Sequence, residues 1–239
     1  MEATVQRLDV SHDLSFAQPA FALARNTPDI IQIFYETIAP RYPIGVEHIA
    51  VNASNTLSEL LIRIGLFGNA AALELRTERM ILRFSQVVGQ EALMIVKDTV
   101  ILAHDALHKA LPGVRSANAS FVVNAWLALD GASGAAQELL RDHANPRFPI
   151  DPKQLGAQGV TYTVRTNLQN ESEKWDVQIA AEPSAIPQAH LFVLTNLSFR
   201  PGTKFDTIDQ QILFAEQLVP KVFSSLGIKL KTSPSESRK

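Results

Sequence analysis

The chain has 239 residues, of which 46% are apolar and 19% are charged, and its formal net charge is −2. This composition is typical of a protein that folds around a sizeable core, so it excludes the disordered and fibrous classes. The near-neutral charge and the scattered lysines and arginines argue against nucleic acid as a partner. Because the chain contains no cysteine, disulfides, thiolate nucleophiles and cysteine-bound metals are excluded as well.

The two ends of the chain bear on its location. MEATVQRLDVSHDLSF (1–16) has acidic and polar residues where a signal peptide needs a basic start and an apolar run. No stretch reaches membrane-spanning length, so we expect a cytoplasmic location and no membrane partner. Residues 229–239 are polar without apolar periodicity, which predicts a disordered tail.

The first half is predicted to contain one strand, one helix, an antiparallel meander and a long closing helix. FAQPAFALA (16–24) has the apolar run of a strand, and a helix is predicted to begin at Thr27, with Pro28 in its first turn. That helix is predicted to stop at Pro40, because proline disfavours helical geometry in the preceding residue. A hairpin turn is predicted at Gly68-Asn69. The meander is predicted from four strand-forming segments: GVEHIAVNAS (45–54), LSELLIRIGLF (57–67), AALELR (71–76) and RMILRFSQV (79–87).

The second half is predicted to follow the same order. ASFVVNAWLALD (119–130) is predicted to be a strand, and a helix is predicted to start near Ser133. Further strands are predicted from GVTYTVRTNL (159–168), KWDVQIAAEP (174–183) and AHLFVLTNLSF (189–199). Antiparallel sheets with one covered face are therefore expected in both halves.

Each half is predicted to close with a long amphipathic helix, at 89–111 and at 206–226. Asp206 is predicted to cap the second helix, and Pro220 is predicted to kink or shorten it. The apolar positions recur at helical spacing: Leu93, Val96, Val100, Ala103, Leu107 and Ala110 in the first helix, and Ile208, Ile212, Ala215, Val219 and Val222 in the second.

An internal repeat supports this parallel between the halves. APRYPIG (39–45) recurs as NPRFPID (145–151), at an offset of 106 residues, and the same offset places AFALA (20–24) opposite WLALD (126–130). Self-similarity at a fixed offset indicates a duplicated structural unit. We therefore predict an α+β fold of two pseudo-repeats, 1–113 and 114–228, each with a strand, a helix, a meander of three or four strands and a long helix. The tail at 229–239 stands outside them.

Two resemblances follow from this layout. The tandem order of strand, helix, sheet and helix is similar in topology to the TATA-box-binding protein fold, but the basic, phenylalanine-bearing DNA face of that family has no counterpart, so its activity is not implied. The tyrosine-proline step into the sheet and the closing stretch FRPGTKFDTIDQQI (199–212) with VFSSL (222–226) resemble a sporadically distributed family of bacterial proteins of unknown function. That resemblance implies no catalytic residues.

His104 and His108 are the first candidate site, because their spacing of four residues lets two imidazoles on one helix share a metal ion. A metal would need a third ligand, and the glutamate of the H-E-x-x-H motif is missing. The alternative is two exposed histidines near a helix C-terminus, where a positive charge is mildly favourable.

Arg41 and Arg147 are the second candidate, since the repeat would place two guanidinium groups in equivalent positions, where they suit a carboxylate or phosphate. The alternative is structural: each arginine follows an acid by five residues, Glu36 and Asp142, so a local ion pair would lock the helix exit. No nucleophile elbow, phosphate loop or dinucleotide fingerprint occurs. We therefore assign no catalytic residue and expect no cofactor.

The function predicted from the sequence is binding or assembly without catalysis, in which a sheet face or edge holds a protein partner or a second copy of the chain. This interpretation requires a broad apolar surface. The rival is a small-molecule-binding protein or enzyme with a closed cavity between the sheet and a long helix, where Arg41 or Arg147 holds an anion. A nucleic-acid saddle is a third hypothesis, which has only Arg63, Arg76 and Arg83 to support it.

Overall fold

A computed structural model describes residues 1–52, 56–131, 134–143, 161–186 and 188–231. Within these ranges the chain forms a mixed α+β structure of ten strands and five helices. The strands are β1 (Glu2–Phe16), β2 (Ile49–Asn52), β3 (Leu61–Leu66), β4 (Ala71–Arg76), β5 (Arg79–Phe84), β6 (Ser116–Leu129), β7 (Val164–Asn170), β8 (Trp175–Pro183), β9 (Leu191–Phe199) and β10 (Lys229–Leu230). The helices are α1 (Ala22–Arg25), α2 (Thr27–Ile38), α3 (Gly89–Ala110), α4 (Ala135–His143) and α5 (Ile208–Ser225).

All ten strands belong to one sheet, in the order β2-β3-β4-β5-β1-β6-β9-β8-β7, with β10 added beside β1. Neighbours along this path are antiparallel, while β10 pairs with β1 in parallel. The long strands β1 and β6 pair at the centre, from Ala3 opposite Leu129 to Phe16 opposite Ser116. The boundary expected between 113 and 114 lies between α3 and β6, so both halves contribute to one continuous sheet.

One face of the sheet carries the core. Residues of β9 alternate, since Leu191, Val193, Thr195, Leu197 and Phe199 are buried and the residues between them are not. Strands β3 to β5 are buried more continuously, as in β4, where residues 71–75 are all buried. The buried set packs beneath the helices, since Phe34 of α2, Val100 of α3 and Ile212 of α5 belong to the same apolar cluster. Successive side chains of a strand point to opposite faces of the sheet. The strand residues that do not face the core cluster therefore form the second face.

Most predicted elements are present. The helix from Thr27 ends at Ile38, before Pro40, and the segments predicted for the first meander contain β2 to β5. The turn predicted at Gly68-Asn69 forms with positive φ at both residues. The predicted α+β class is therefore confirmed. The 106-residue repeat stays a prediction, because its second motif at 145–151 lies outside the described residues.

The strand predicted at 16–24 is wrong. The first strand is β1, which ends at Phe16, while Ala22–Arg25 form α1. The gap-free offset therefore sets helical residues 22–24 against residues of β6, so it does not align the two halves here. The sequence does contain a signal for β1, because apolar or buried positions alternate with polar residues at Leu8, Val10, His12, Leu14 and Phe16. Pro19 separates this pattern from the apolar run that follows.

Three details of the long helices also differ from the predictions. The cap of α5 is Thr207, whose side chain accepts from the Gln210 amide, in place of Asp206. The helix continues through Pro220 to Ser225, so the proline does not shorten it. In α3, Leu93 is 46% exposed.

Residues 229 and 230, predicted to belong to a disordered tail, instead form a strand. Lys229 and Leu230 pair with Glu2 and Ala3 as β10, and the N-terminal ammonium donates to the Gly227 carbonyl at 2.7 Å. Residues 232–239 lie outside the described part. Among the described residues, none of the helices combines the length and apolar character needed to cross a membrane.

Candidate functional site

The side of the sheet away from the core cluster is the largest candidate surface, and we call it the open face. Its members follow from the pairing register, because directly opposed residues on neighbouring strands share a face. The residues of the open face are Ala50, Asn52, Leu61, Arg63, Gly65, Ala72, Glu74, Arg76, Arg79, Ile81, Arg83, Glu2, Thr4, Arg7, Asp9, Ser11, Asp13, Ser15, Lys229, Asn118, Ser120, Val122, Asn124, Trp126, Ala128, Phe192, Leu194, Asn196, Ser198, Asp176, Gln178, Ala180, Glu182, Arg165, Asn167 and Gln169.

The part of the open face on β3 to β5 and on β1 from Arg7 to Ser15 is rich in arginine, and we call it the arginine half. Three of its arginines pair with acids on the same face. Arg83 Nη1 lies 3.0 Å from Glu74 Oε1, and Arg79 Nη1 lies 3.6 Å from Asp13 Oδ2. Partial burial raises the pKa of Asp13, and the positive charge of Arg79 opposes that rise.

Two residues of the arginine half have the same charge and face each other. Arg76 of β4 is directly opposite Arg79 of β5. Like charges in directly opposed positions of an antiparallel pair are destabilising. Among the described residues, Arg63 and Arg76 form no ion pair within 4 Å, whereas Arg79 has both Asp13 and Glu78.

The part of the open face on β6 to β9 has a different chemistry and is called the amide half. It is formed mainly by amide and hydroxyl side chains, with two aromatic rings at one end. Trp126 and Phe192 lie with their ring centroids 5.0 Å apart, and the Arg7 guanidinium stacks on Trp126 at 4.8 Å. A shallow groove of about 450 Å³ crosses this half, and Arg165, Gln178, Glu182, Phe192 and Leu194 are among its lining residues.

A buried histidine pair lies on the opposite, helix-covered face. His12 of β1 is fully buried and His104 of α3 is 8% exposed, and their Nε2 atoms are 2.8 Å apart. His12 Nδ1 lies 3.1 Å from the Ser120 carbonyl, which can only accept, so His12 donates there. His12 Nε2 is therefore the acceptor in the neutral ring, and His104 Nε2 donates to it.

Burial keeps both histidines neutral. Desolvation lowers the pKa of His12 to about 4, and it lowers the pKa of His104 to about 3 with smaller contributions from His12 and His108. The His12 ring stacks on Phe121 at 4.5 Å. The pair therefore joins the central strand to α3 through one hydrogen bond in apolar surroundings.

This arrangement corrects the expectation that His104 and His108 are both exposed. His108 is exposed, but His104 belongs to the buried side of α3. Its ring centroid is 6.4 Å from that of His108 and 5.0 Å from that of His12. Among the described residues, no cluster of three or more histidine, cysteine or acidic side chains has the geometry to hold a metal ion.

Arg41 lies at the exit of α2 and contacts α3. Its Nε is 2.6 Å from Asp98 Oδ2, and the Tyr42 hydroxyl donates to the same carboxylate oxygen at 2.7 Å. The expected partner Glu36 instead accepts from the Gln32 side chain at 2.7 Å. Arg41 therefore links the end of α2 to α3, whereas the sequence spacing predicted a local ion pair with Glu36. Arg147 and the motif around it lie outside the described residues.

Two partner residues were not predicted from the sequence: His12, which contacts His104, and Asp98, which contacts Arg41 and Tyr42. His12 occupies an apolar position in the alternating pattern of β1, so this pattern could have indicated its burial. Nothing comparable marks Asp98, which is 56 residues from Tyr42 and 57 from Arg41 in the chain. Only the packing of α2 against α3 brings them together.

Comparisons with known proteins add little to this geometry. No family model matches the chain, and no curated protein matches it significantly. Among solved structures, the chain is similar to Methanococcus jannaschii TBP with 13% sequence identity, covering 95% of this chain and 99% of that one, with a TM-score of 0.30. The bacterial family resemblance expected from the sequence has no support in these comparisons.

Proposed function

We propose that the protein is a binding protein without catalytic activity, and that the open face reversibly holds a protein partner. The observation that carries this proposal is the uneven covering of the sheet. The described helices share an apolar cluster with one face, whereas most described residues on the other face of the nine adjacent strands are at least partly exposed, apart from Gly65, Ala72, Glu74 and Ile81. Nine strands span roughly 38 Å at about 4.8 Å per step, and five residues along a strand add about 17 Å. That area of about 650 Å² approaches the roughly 800 Å² that each partner buries in a standard interface.

The chemistry of the open face favours a reversible complex. Among the described residues of this face, arginine, carboxylate, amide and hydroxyl side chains dominate, so the broad apolar surface that the sequence interpretation required is absent there and only the reversible form of that interpretation is proposed. Permanent interfaces are more hydrophobic, whereas exchanging ones are about as polar as ordinary protein surface. A second copy bound permanently through this face is thus disfavoured relative to a separate protein. Trp126 and Phe192 would supply the aromatic anchor that such interfaces commonly contain.

The small-molecule rival receives less support. The described grooves lie on the open face and between α4 and the β8 to β9 loop, away from α3. Arg41 is held by Asp98, and His104 is held by His12. Neither side chain projects into a cavity between the sheet and the long helix.

Site-specific photo-crosslinking in living cells that express the protein tests the proposal. A photoreactive amino acid at Gln178 or Ser11 on the open face should give discrete adducts with one protein, identified by mass spectrometry. The matched control is Gln217, an exposed residue of α5 on the helix side. Adducts at neither open-face position, or equal adducts at Gln217, would exclude the open face as the binding surface.

A further inference from the structure

We infer that the arginine half binds an extended acidic segment of the partner, an inference that rests on the proposed function and names the chemistry of the partner. The arginine half carries five arginines, Arg7, Arg63, Arg76, Arg79 and Arg83, against three acids, Asp9, Asp13 and Glu74. Five arginines against three acids leave two positive charges on these strands, and Glu78 of the adjoining turn offsets one of them through its ion pair with Arg79, in a chain whose formal net charge is −2. An excess of one sign on an exposed face attracts the opposite sign.

The strand register adds evidence that is independent of the charge count. Arg76 and Arg79 are directly opposed, and this costs folding stability that a neutral residue at either position would avoid. Arg79 is stabilised by Asp13 and Glu78, but Arg76 has no ion pair among the described residues. A carboxylate from a partner would remove the repulsion by binding between the two guanidinium groups.

The spacing of the unpaired arginines fits an extended chain. Arg63 of β3 is opposite Glu74 of β4, and Arg76 lies two residues beyond Glu74 on the same face. Arg63 and Arg76 are therefore diagonal neighbours on adjacent strands, about 7 to 8 Å apart. Alternate side chains of an extended peptide are about 6.8 Å apart, so acidic residues at alternate positions could reach both arginines.

The acids on this surface favour carboxylates over nucleic acid. Asp9, Asp13 and Glu74 lie between the arginines. A duplex presents about one phosphate charge per 1.7 Å of its axis, so its backbone would pass close to these carboxylates. Separate acidic side chains on a protein can instead contact the arginines without approaching these carboxylates. The described residues of the arginine half include no lysine, and arginine suits planar, two-point binding of carboxylates.

The test uses the full chain and a fluorescein-labelled nonapeptide in which glutamate alternates with threonine. The control peptide has glutamine in place of every glutamate. We expect the acidic peptide to bind by fluorescence anisotropy and the glutamine peptide not to bind. The double variant Arg63→Gln/Arg76→Gln should weaken binding about tenfold, as loss of two charge-assisted contacts implies, and Arg25→Gln on α1 should leave it unchanged.

Three results would overturn the inference: equal binding of both peptides, equal affinity of the double variant and the unmodified protein, or tighter arginine-dependent binding of a 20-base-pair DNA duplex. The double variant is first checked for an unchanged Tm. Failure here is distinguishable from failure of the proposed function. If the peptide does not bind but position 178 still forms adducts, the open face binds a partner of other chemistry; if no open-face position forms adducts, the proposed function itself fails.

Discussion

His12 and Asp13 are neighbours in β1, but the two faces of the sheet keep them in opposite relations to solvent and charge. His12 is fully buried, and within the described part of the chain its polar contacts are a neutral histidine and a carbonyl group. Asp13 is partly exposed and lies beside Arg79. Desolvation disfavours the charged form of both, which lowers the pKa of His12 and raises that of Asp13. The comparison shows that the covered face excludes charge, while the open face tolerates it through partners.

The largest expected effect is a difference in the free energy of unfolding between two leucine-to-alanine variants, one on each face of the sheet. Leu127 of β6 is fully buried on the covered face, and Leu194 of β9 is partly exposed on the open face. Leu127→Ala should reduce the free energy of unfolding by about 3 to 5 kcal/mol, because it leaves a cavity that the core cannot fill. Leu194→Ala should cost about 1 kcal/mol. Urea denaturation of both variants measures the difference, and equal losses would mean that the open face is also packed.

The second effect concerns acid stability and depends on the histidine pair. The pKa of an unfolded histidine is about 6.5, above the folded values of about 4 and about 3. The unfolded chain therefore binds more protons between pH 6.5 and pH 4, and acid destabilises the folded state. The loss should reach about 1.4 kcal/mol per pH unit for each histidine, and it is absent well above pH 6.5.

Urea denaturation across this pH range measures the slope. The double variant His12→Phe/His104→Leu should flatten it, because neither position can then take up a proton. The control is His143→Gln, which replaces a histidine at an exposed position of α4. A double variant with the full slope would assign the acid sensitivity to other groups.

The smallest effect sharpens the description of the arginine half. Arg76→Gln removes a like-charge pair without breaking any described ion pair, so it should raise the free energy of unfolding by about 0.2 to 1 kcal/mol at low salt. High salt should erase the gain, because it screens exposed charges. Arg83→Gln is the opposite control: it breaks the ion pair with Glu74 and should lose stability. A loss on Arg76→Gln would show that this arginine has a stabilising contact.

The sequence predicted the fold better than the site, for physical reasons. Strands β3 to β5 and helix α3 have local signals, namely apolar runs, a Gly-Asn turn and helical spacing, so they were found close to their true bounds. Thr207 in place of Asp206 as the cap of α5 is an error of one residue between two good capping residues.

The contacts that matter for a site are long-range, and local patterns do not contain them. His104 faces His12 across 92 residues, and Arg79 faces Asp13 across the β1 to β5 pairing. Helical spacing related His104 to His108, which is the wrong partner. The register of a whole sheet was needed to show that Arg63, Arg76 and Arg79 share one surface, and that this surface lies opposite the core.

The central position of β1 has a consequence for how the chain folds during synthesis. β1 is made first, yet its partners arrive late: β5 ends at residue 84, β6 ends at residue 129, and β10 pairs Leu230 with Ala3. Pairings so distant in sequence slow folding, since a long loop must close before they form. The fifteen-residue segment of β1 therefore has no partner until β5 is complete at residue 84, and its other edge stays unpaired until β6 is complete at residue 129. An unpaired strand edge of this length favours aggregation.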